Sequence, residues 1–570
     1  MGDDQPVMKR NTSRLIISLG VILTFPVLYL LRHLDDNRLT SWEWVFKDSR
    51  ALNVFAILVT GIILAFILSG IRISPRRPAV FLLFVSFAVG ALFWGEPEVI
   101  VDASRYFTAA KHLEVYGIGY FIREWGGRIN AWTDMPLVPF LYGSIFKFFG
   151  ETHIYIQIFT TLLFSLSTLL TYLVGKELWN EEVGFYGGLL LVGMPYLLTQ
   201  VPLMLADVPT MFFLLLSVYL LIFALKRGGV TIVFPSVVIP LSFYSKYSSW
   251  IMLTVLIVIF VVFAAEERKT GGRSVYCRAS MIVLLSGLLI GIVFFYKAEV
   301  FLAQMKLLVE YQKPGLGRWS ESFLSTFVFQ TNPFIALAAV YSLVAAITKK
   351  DLKYVIIVWL VLLVVVLQIK RIRYIIMVFP MLGLMASYGI LQINDRGITR
   401  FILCCTLIFS LSIALFAYLP LVQEISAVNL KDAGKFLDSL PEPGVKVFTI
   451  LPEPAVVNPA VAVPILDLYT RKKIFYDYDI DISSVPGEEI EKSSLRFTWE
   501  FTNPKYYMHG KKSKGATAVA VVSNDPADAL PPTIEENITG CRLSKVFAAY
   551  EGLFQYRTSV RIYRCGAMGE

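Results

Sequence analysis

Charged side chains gather in four short clusters between apolar segments of this sequence. The first contains Asp102 and Arg105, which are three residues apart, so a helix through them would place both on one face. A carboxylate beside a cation can accept a proton as a general base while the cation holds an anion. The alternative interpretation is an Asp that caps a helix beside a surface Arg.

Two further clusters contain one acidic residue each. Asp134 lies in Thr133-Asp134-Met135-Pro136, before an apolar, aromatic stretch at 139–149 that is too short to span a membrane and is expected to lie along its surface. Its carboxylate suits a metal or a sugar hydroxyl, and it can equally have no ligand. Asp207 is the only charge in the turn 202–209, where capping of the next helix is the alternative to a functional role.

The fourth cluster is the turn Lys370-Arg371-Ile372-Arg373-Tyr374, between two very apolar runs. Lys246 lies at the end of another apolar run. Single basic residues at such boundaries commonly extend toward lipid head groups. Three cations in five residues instead indicate a phosphate-binding site.

The elements that position these clusters are those of a polytopic membrane protein. Of the 570 residues, 56% are hydrophobic and 17% are charged, against about 25% charged in soluble domains. The net charge of +9 belongs to the apolar part, because acidic residues outnumber basic ones by 19 to 17 after residue 423, and a nucleic-acid partner is not expected. Apolar runs predict about 13 transmembrane helices, near 15–31, 51–71, 79–95, 154–174, 183–199, 208–225, 230–244, 248–265, 279–296, 334–347, 354–369, 375–393 and 401–423.

The distribution of basic residues predicts the orientation. With the N-terminus cytoplasmic and the first span uncleaved, the inner segments hold 18 Lys and Arg in 59 residues and the outer segments 17 in 130. An odd number of spans then places residues 424–570 outside the cell membrane, together with the loops 96–153 and 297–333. As bounded above, the spans contain no Asp, Glu, Lys, Arg or His, although ion-coupled transporters and channels usually need such groups at membrane depth.

Residues 424–570 are expected to form a small extracytoplasmic α/β domain, after an N-terminal unit at 1–78 and a transmembrane catalytic unit at 79–423. Within it we expect a helix at 431–440 capped by Asn429, strands at 445–451 and 515–522, and a hairpin around Glu551-Gly552. Cys541 and Cys565 flank this hairpin, and in an extracytoplasmic compartment they should form a disulfide.

Four segments together resemble the polytopic C-type glycosyltransferases, in particular the protein O-mannosyltransferases and the lipid A aminoarabinose transferases. Asp102-Ala103-Ser104-Arg105-Tyr106 resembles the acidic motif of the family's first outer loop. The other three segments, in the family's order, are 136–150, 197–216 with Asp207 in the acidic position, and 370–380. The likeness covers about residues 79–423.

The resemblance implies an inverting transferase that moves a sugar from a polyprenyl (dolichyl-type) phosphate to an acceptor hydroxyl on the outer face of the membrane. Asp102 would be the catalytic base, with Asp207 and Asp134 in supporting roles. The partners would be the lipid-linked donor, a glycan, protein or lipid acceptor, and the bilayer. The donor phosphate would be bound by Arg105, Lys246, Lys370, Arg371, Arg373 and Tyr374.

This chain also departs from the family's pattern. Asp134 stands in or near the place of a Lys of the aminoarabinose transferases, and Pro202 stands where many relatives have Arg. Glu310 or Gln312 sits where some relatives place a His, so no cofactor is certain, and a divalent cation with Asp134 and Glu310 as candidate ligands stays open. A lipid-linked oligosaccharide ligase and a transporter or flippase of lipid-linked glycans are the alternative functions; transport could survive the loss of Asp102, whereas transfer should not.

Overall fold

The structure, a computed structural model, describes residues 4–47, 50–70, 77–269, 272–312, 321–477, 487, 490, 493, 495–508, 518–549 and 556–565. Most of this part is helical. Among the described residues, eight helices are long and apolar enough to cross a bilayer, which makes this a multi-pass membrane protein. They are Asn11–Leu30, Arg50–Gly70, His153–Leu178, Asp207–Arg227, Ser248–Arg268, Ser274–Tyr296, Ile372–Ile390 and Arg396–Glu424.

The other five predicted spans are also helical but shorter, so a helix lies at each of the 13 predicted places, eight of them long and five short. At 1.5 Å per residue, a helix of fewer than 18 residues is shorter than about 30 Å of hydrocarbon. One short length follows from a break at Gly193 and Met194, just before Pro195. The five are Pro78–Ala91, Glu181–Val192, Gly229–Phe243, Pro333–Lys349 and Tyr354–Val366.

The two N-terminal helices, Asp4–Leu30 and Arg50–Gly70, pack against Arg396–Ile413 at one side of the bundle. The segment that joins them, 31–47, is tied to residues 321–331 by buried polar side chains. We call 31–47 the N-terminal connector, and its contacts are given with the site below.

Short helices lie between the long ones along the chain, and one of them, Ile100–Tyr116, contains Asp102. They are Ile100–Tyr116, Ile118–Glu124, Leu137–Phe149 and Ala298–Leu307. As expected for the aromatic stretch after Pro136, Leu137–Phe149 is short and has one buried face.

The C-terminal region contains a five-stranded mixed sheet in the order β2-β1-β3-β5-β4. The strands are β1 (Gly444–Thr449), β2 (Lys473–Phe475), β3 (Ala518–Ser523), β4 (Arg542–Phe547) and β5 (Ser559–Arg564). β1 pairs in parallel with β2 and β3, whereas β5 is antiparallel to β3 and β4. The predicted α/β domain is thus confirmed, and the two strands predicted at 445–451 and 515–522 are β1 and β3. The pair β4 and β5 is the predicted hairpin, whose turn at Glu551-Gly552 lies outside the described residues, and Cys541 and Cys565 are joined by a disulfide.

One expectation for this region was wrong. The helix begins at Val428, so Asn429 is inside it and is not its cap. The Asn429 amide instead donates to the carbonyls of Ala549 and Thr558 and accepts the Ala549 N–H. The buried amide therefore joins the helix to the loop after β4 and the residues before β5, and these contacts satisfy its polar atoms better than a cap would.

The C-terminal region docks on the helix Ile100–Tyr116 through an apolar cluster and one buried ionic group. Lys111 Nζ lies 2.5 Å from Asp467 Oδ2 and 2.9 Å from Glu151 Oε1. Tyr507 donates its hydroxyl to Asp467 at 2.7 Å. Because buried charges are stable only when paired, this group fixes the region against the helix that contains Asp102.

Candidate active site

Three residues from distant parts of the chain meet at the centre of the site. Asp102 lies in the first turn of Ile100–Tyr116, Asp207 is the first residue of Asp207–Arg227, and Arg373 lies on the short helix Ile372–Ile375. Arg373 Nη1 is 2.5 Å from Asp102 Oδ2, and its Nε is 3.0 Å from Asp207 Oδ2. The guanidinium therefore bridges two of the three predicted carboxylates.

Asp207 has a second cationic partner. Lys246 Nζ is 2.6 Å from Asp207 Oδ1, and Asp207 itself is buried. The helix that follows has Ala206 as its N-cap and no side-chain cap, so the alternative of a capping role for Asp207 is wrong. Both carboxylate oxygens are occupied by ion pairs instead.

Arg105 joins the first carboxylate to the third. Its Nη2 is 3.0 Å from Asp102 Oδ1, as the three-residue spacing predicts, and its Nη1 is 3.5 Å from Asp134 Oδ2. Tyr106 donates its hydroxyl to Asp134 at 3.1 Å, and Gln304 donates to the Asp134 carbonyl at 2.7 Å. Asp134 is thereby fixed within one arginine of Asp102.

The environment separates the protonation behaviour of Asp102 and Asp134. Burial alone would raise the pKa of Asp102, but Arg373 and Arg105 outweigh it and hold that pKa well below its ordinary value. Burial raises the pKa of Asp134, and the neighbouring Asp102 adds to the rise in spite of Arg105. Of these two, Asp102 is therefore the carboxylate kept ionised, as a base must be. Lys246 and Arg373 likewise lower the pKa of Asp207, although burial opposes them.

The remaining residues of the basic turn lie beside this centre. The Tyr374 ring is 5.7 Å from Lys246 Nζ and 5.4 Å from Arg371 Cζ, and Arg371 Nε is 4.0 Å from Glu321 Oε1. Lys370 contacts the face of Phe323, and among the described residues it has no carboxylate within ion-pair distance. Within the described part of the chain, the charge of Lys370 is therefore not neutralised by a carboxylate.

A metal site is not assembled by the described residues. Among them, no group of three His, Cys, Asp or Glu side chains is arranged to hold an ion. Glu310 is exposed in the π-helical segment Leu308–Gln312 and lies 4.0 Å from Lys306, whereas Asp134 is half-buried beside Arg105.

Sequence reasoning assigned no role to Glu98, which supports the site. Its carboxylate is fully buried; both oxygens accept the Met204 N–H at 2.9 Å, and His153 Nε2 lies 2.9 Å from Oε1. Tyr142 donates to the Leu205 carbonyl at 2.7 Å. These bonds hold the loop that delivers Asp207. The only signal was the position of Glu98 four residues before Asp102.

The N-terminal connector was also missed. Asp35 accepts hydrogen bonds from the Ser325 hydroxyl at 2.5 Å and the Gln330 amide at 2.7 Å, and Asp36 accepts the Ser322 N–H at 2.9 Å. Burial raises the pKa of Asp35 to about 6, although these donors oppose the rise.

The segment held by the connector reaches the basic turn directly. Glu321 Oε2 accepts the Ile372 N–H at 3.1 Å, and Thr326 donates its hydroxyl to the Lys370 carbonyl. Burial raises the pKa of Glu321 to about 7, with Arg371 opposing it. The backbone of the turn is therefore fixed from 321–331, which is itself fixed by the connector.

Comparisons with known proteins agree with the family resemblance. A family model described as dolichyl-phosphate-mannose-protein mannosyltransferase matches residues 134–310. Comparison with curated proteins finds no match. The match to the family model confirms the resemblance and indicates a glycosyltransferase that uses a polyprenyl phosphate-linked sugar.

Two solved structures are distantly similar. ArnT from Cupriavidus metallidurans bound to undecaprenyl phosphate aligns over 87% of this chain and 99% of its own, with 11% identity and a TM-score of 0.49. The archaeal oligosaccharyltransferase AglB from Archaeoglobus fulgidus, in complex with an inhibitory peptide and a dolichol-phosphate, aligns over 78% of this chain and 69% of its own, with 11% identity and a TM-score of 0.45.

Proposed function

We propose that this protein transfers a sugar from a polyprenyl phosphate to an acceptor hydroxyl at the extracytoplasmic face of the membrane. The observation that carries the proposal is an ionised carboxylate, Asp102, held between two guanidinium groups, Arg105 and Arg373. The family model matched by 134–310 describes enzymes of dolichyl-phosphate-mannose, which supports a lipid-linked donor.

In the reaction, the acceptor oxygen forms a bond to the anomeric carbon while the bond from that carbon to the phosphate oxygen breaks. The acceptor proton goes to Asp102, and the electron pair leaves with the lipid phosphate. The departing phosphate needs neutralisation of charge more than it needs a proton, and clustered Lys and Arg provide that. Lys370 and Arg371 would hold it at the basic turn, beside Arg373.

Binding of the donor would also activate the base. A carboxylate with a strongly lowered pKa accepts a proton poorly, and the pKa of Asp102 is lowered by the same arginines that suit a phosphate. A donor phosphate that competes for Arg373 would weaken its contact with Asp102 and raise the pKa of that carboxylate. Proton acceptance would then be favoured only when the donor is in place.

The test is transfer from radiolabelled polyprenyl phosphate sugars by purified full-length protein, with Asp102→Asn as the variant. Asparagine keeps the shape but cannot accept the proton, so turnover should fall by about 10²–10⁴. Affinity for polyprenyl phosphate should not weaken, because a competitor for Arg373 has been removed. Glu114→Gln on the same helix is the matched control and should keep wild-type turnover. Near-normal turnover of Asp102→Asn would refute the assignment and favour transport.

A further inference from the structure

A cavity of about 340 Å³ lies between the helix of Asp102, the segment 128–132 and the C-terminal segment 497–505. This volume is within the range of about 300–1,000 Å³ found for small-molecule sites. Arg105 lines it, and Arg105 Nη2 is 3.0 Å from Asp102 Oδ1, so one side chain separates the cavity from the proposed base. Its other wall belongs to the region that docks on this helix.

Aromatic and polar side chains share the walls. The Trp132 and Phe497 rings are 5.8 Å apart, and Arg105 Cζ is 5.3 Å from the Phe497 ring centre. Asn130 and Asn503 lie beside them. Aromatic faces pack against the C–H faces of sugar rings, while amide and guanidinium groups hydrogen-bond to hydroxyls, so this combination suits a carbohydrate.

Three atoms of the lining residues are buried without a hydrogen-bond partner in the described part of the chain. One is the Thr108 hydroxyl oxygen, and the other two belong to longer side chains. They are Arg105 Nε, a donor, and Asn503 Oδ1, an acceptor. Unpaired buried polar atoms are costly, and a hydroxyl group can both accept and donate. A polyhydroxy ligand would therefore satisfy both atoms.

Trp132 is held in an uncommon conformation. Its φ is +46°, in the left-handed region that few residues other than glycine adopt. Asn130 Oδ1 accepts its N–H at 2.9 Å, and Asp134 donates its N–H to Ala131 at 2.8 Å, which closes the turn. Strained backbone of this kind persists where the surroundings over-determine it, often at ligand sites. The turn places an aromatic face two residues from Asp134.

Other occupants fit the walls less well. A lipid chain would leave Arg105, Arg128 and Lys505 facing hydrocarbon. Peptide binding by strand addition would need a strand edge, and none of the lining residues belongs to β1–β5. Among the predicted phosphate-binding residues, only Arg105 lines the cavity, so the basic turn lies outside it.

We infer that the cavity is the acceptor subsite and that it binds a sugar ring, so that the acceptor is a glycan rather than a protein. The assignment of the bound sugar as the acceptor rests on the proposed function, whereas sugar binding itself can be tested separately. The ring would stack on Trp132 and Phe497, with a hydroxyl directed past Arg105 to Asp102.

The experiment uses full-length protein in lipid nanodiscs free of glycosidic detergent, since such a detergent would occupy a sugar site. The probes are mannobiose, N,N′-diacetylchitobiose and a blocked Ala-Thr-Ala peptide, each followed by ligand-observed NMR. We expect a disaccharide to bind and the peptide not to bind. Trp132→Ala and Phe497→Leu should each weaken disaccharide binding by about tenfold or more, with Trp132→Phe restoring most of it. Phe148→Leu, an exposed aromatic on a neighbouring helix, should change nothing.

Three results would overturn the inference: no disaccharide binding by the wild type, unchanged binding in both aromatic variants, or peptide binding that depends on Trp132. Displacement of the disaccharide by sugar-free polyprenyl phosphate would also count against it, because the ring would then occupy the donor side. Asp102→Asn should keep disaccharide binding and lose transfer. If Asp102→Asn instead keeps transfer while binding still depends on Trp132, the proposed base fails and the sugar subsite stands.

Discussion

Replacement of Arg373 by alanine should destabilise the protein strongly, because it leaves two carboxylates facing each other. The Arg373 side chain is 11% exposed and that of Asp207 is 1% exposed. Removing one partner of a buried pair costs about 3–5 kcal/mol. Each carboxylate keeps one cation, Arg105 for Asp102 and Lys246 for Asp207, so we expect a loss near 3 kcal/mol, at the low end of that range.

A second substitution separates this explanation from simple loss of packing. Asp207→Asn in the Arg373→Ala background removes the charge left without a guanidinium, so the double variant should be more stable than Arg373→Ala. Arg396→Ala is the matched control, because Arg396 pairs with Glu182 at 3.0 Å with both side chains more than half exposed. Such a surface pair contributes about 0–1 kcal/mol.

The assay is the thermal unfolding midpoint of purified protein, followed by tryptophan fluorescence at several pH values. A lowered native pKa of Asp102 adds stability that is present above the unfolded pKa of about 3.9 and is lost as pH falls through the native value. Arg373→Ala removes part of that stability, so the difference in unfolding midpoint between the variant and wild type should be largest near neutral pH and should become smaller below about pH 4. A single variant as stable as wild type, or a double variant less stable than the single, would refute this reasoning.

Three further predictions concern the groups around the centre. Glu98→Gln should lower the free energy of unfolding by about 1–3 kcal/mol and reduce turnover, because the Met204 N–H loses a charged acceptor; unchanged denaturation and activity would contradict this. Lys370→Ala should weaken polyprenyl phosphate binding by about tenfold with little change in the unfolding midpoint, and equal affinity would remove Lys370 from the donor site. Burial raises the native pKa of Glu321 to about 7, so protonated Glu321 stabilises the folded protein fully below the unfolded pKa of about 4.3, and this stabilisation is lost as the pH rises through 7. Glu321→Gln should therefore reduce the fall of the unfolding midpoint between about pH 4 and pH 7, and an unchanged fall would count against this reasoning.

The helices were predictable because apolar runs are a property of the local sequence. The ends of the helices were less so, since a break such as that before Pro195 depends on how the chain packs. The pairing of Asp102 with Arg105 followed from a three-residue spacing. By contrast, Arg373 pairs with Asp102 across 271 positions, and no local pattern encodes a contact at that distance.

The role of the basic turn is the part of the site that the sequence describes least completely. Charge and spacing indicated a phosphate site, and the roles of these residues stay a proposal. The structure shows that Arg373 and Lys246 already neutralise Asp102 and Asp207, which only tertiary placement reveals. The role of Glu98 was not predicted for the same reason, because its carboxylate accepts the N–H of Met204, which lies 106 residues further along the chain.

The N-terminal connector gives the first two helices a significance beyond anchoring the chain. Asp35 and Asp36 hold the segment 321–331, and that segment holds the backbone of Lys370 and Ile372. A truncated protein that begins at Pro78 would keep every proposed catalytic side chain but would lose the hydrogen bonds through which the connector fixes the basic turn. The two N-terminal helices would therefore be a structural part of the proposed donor site, and a truncation experiment would report on the shape of the basic turn rather than on membrane attachment.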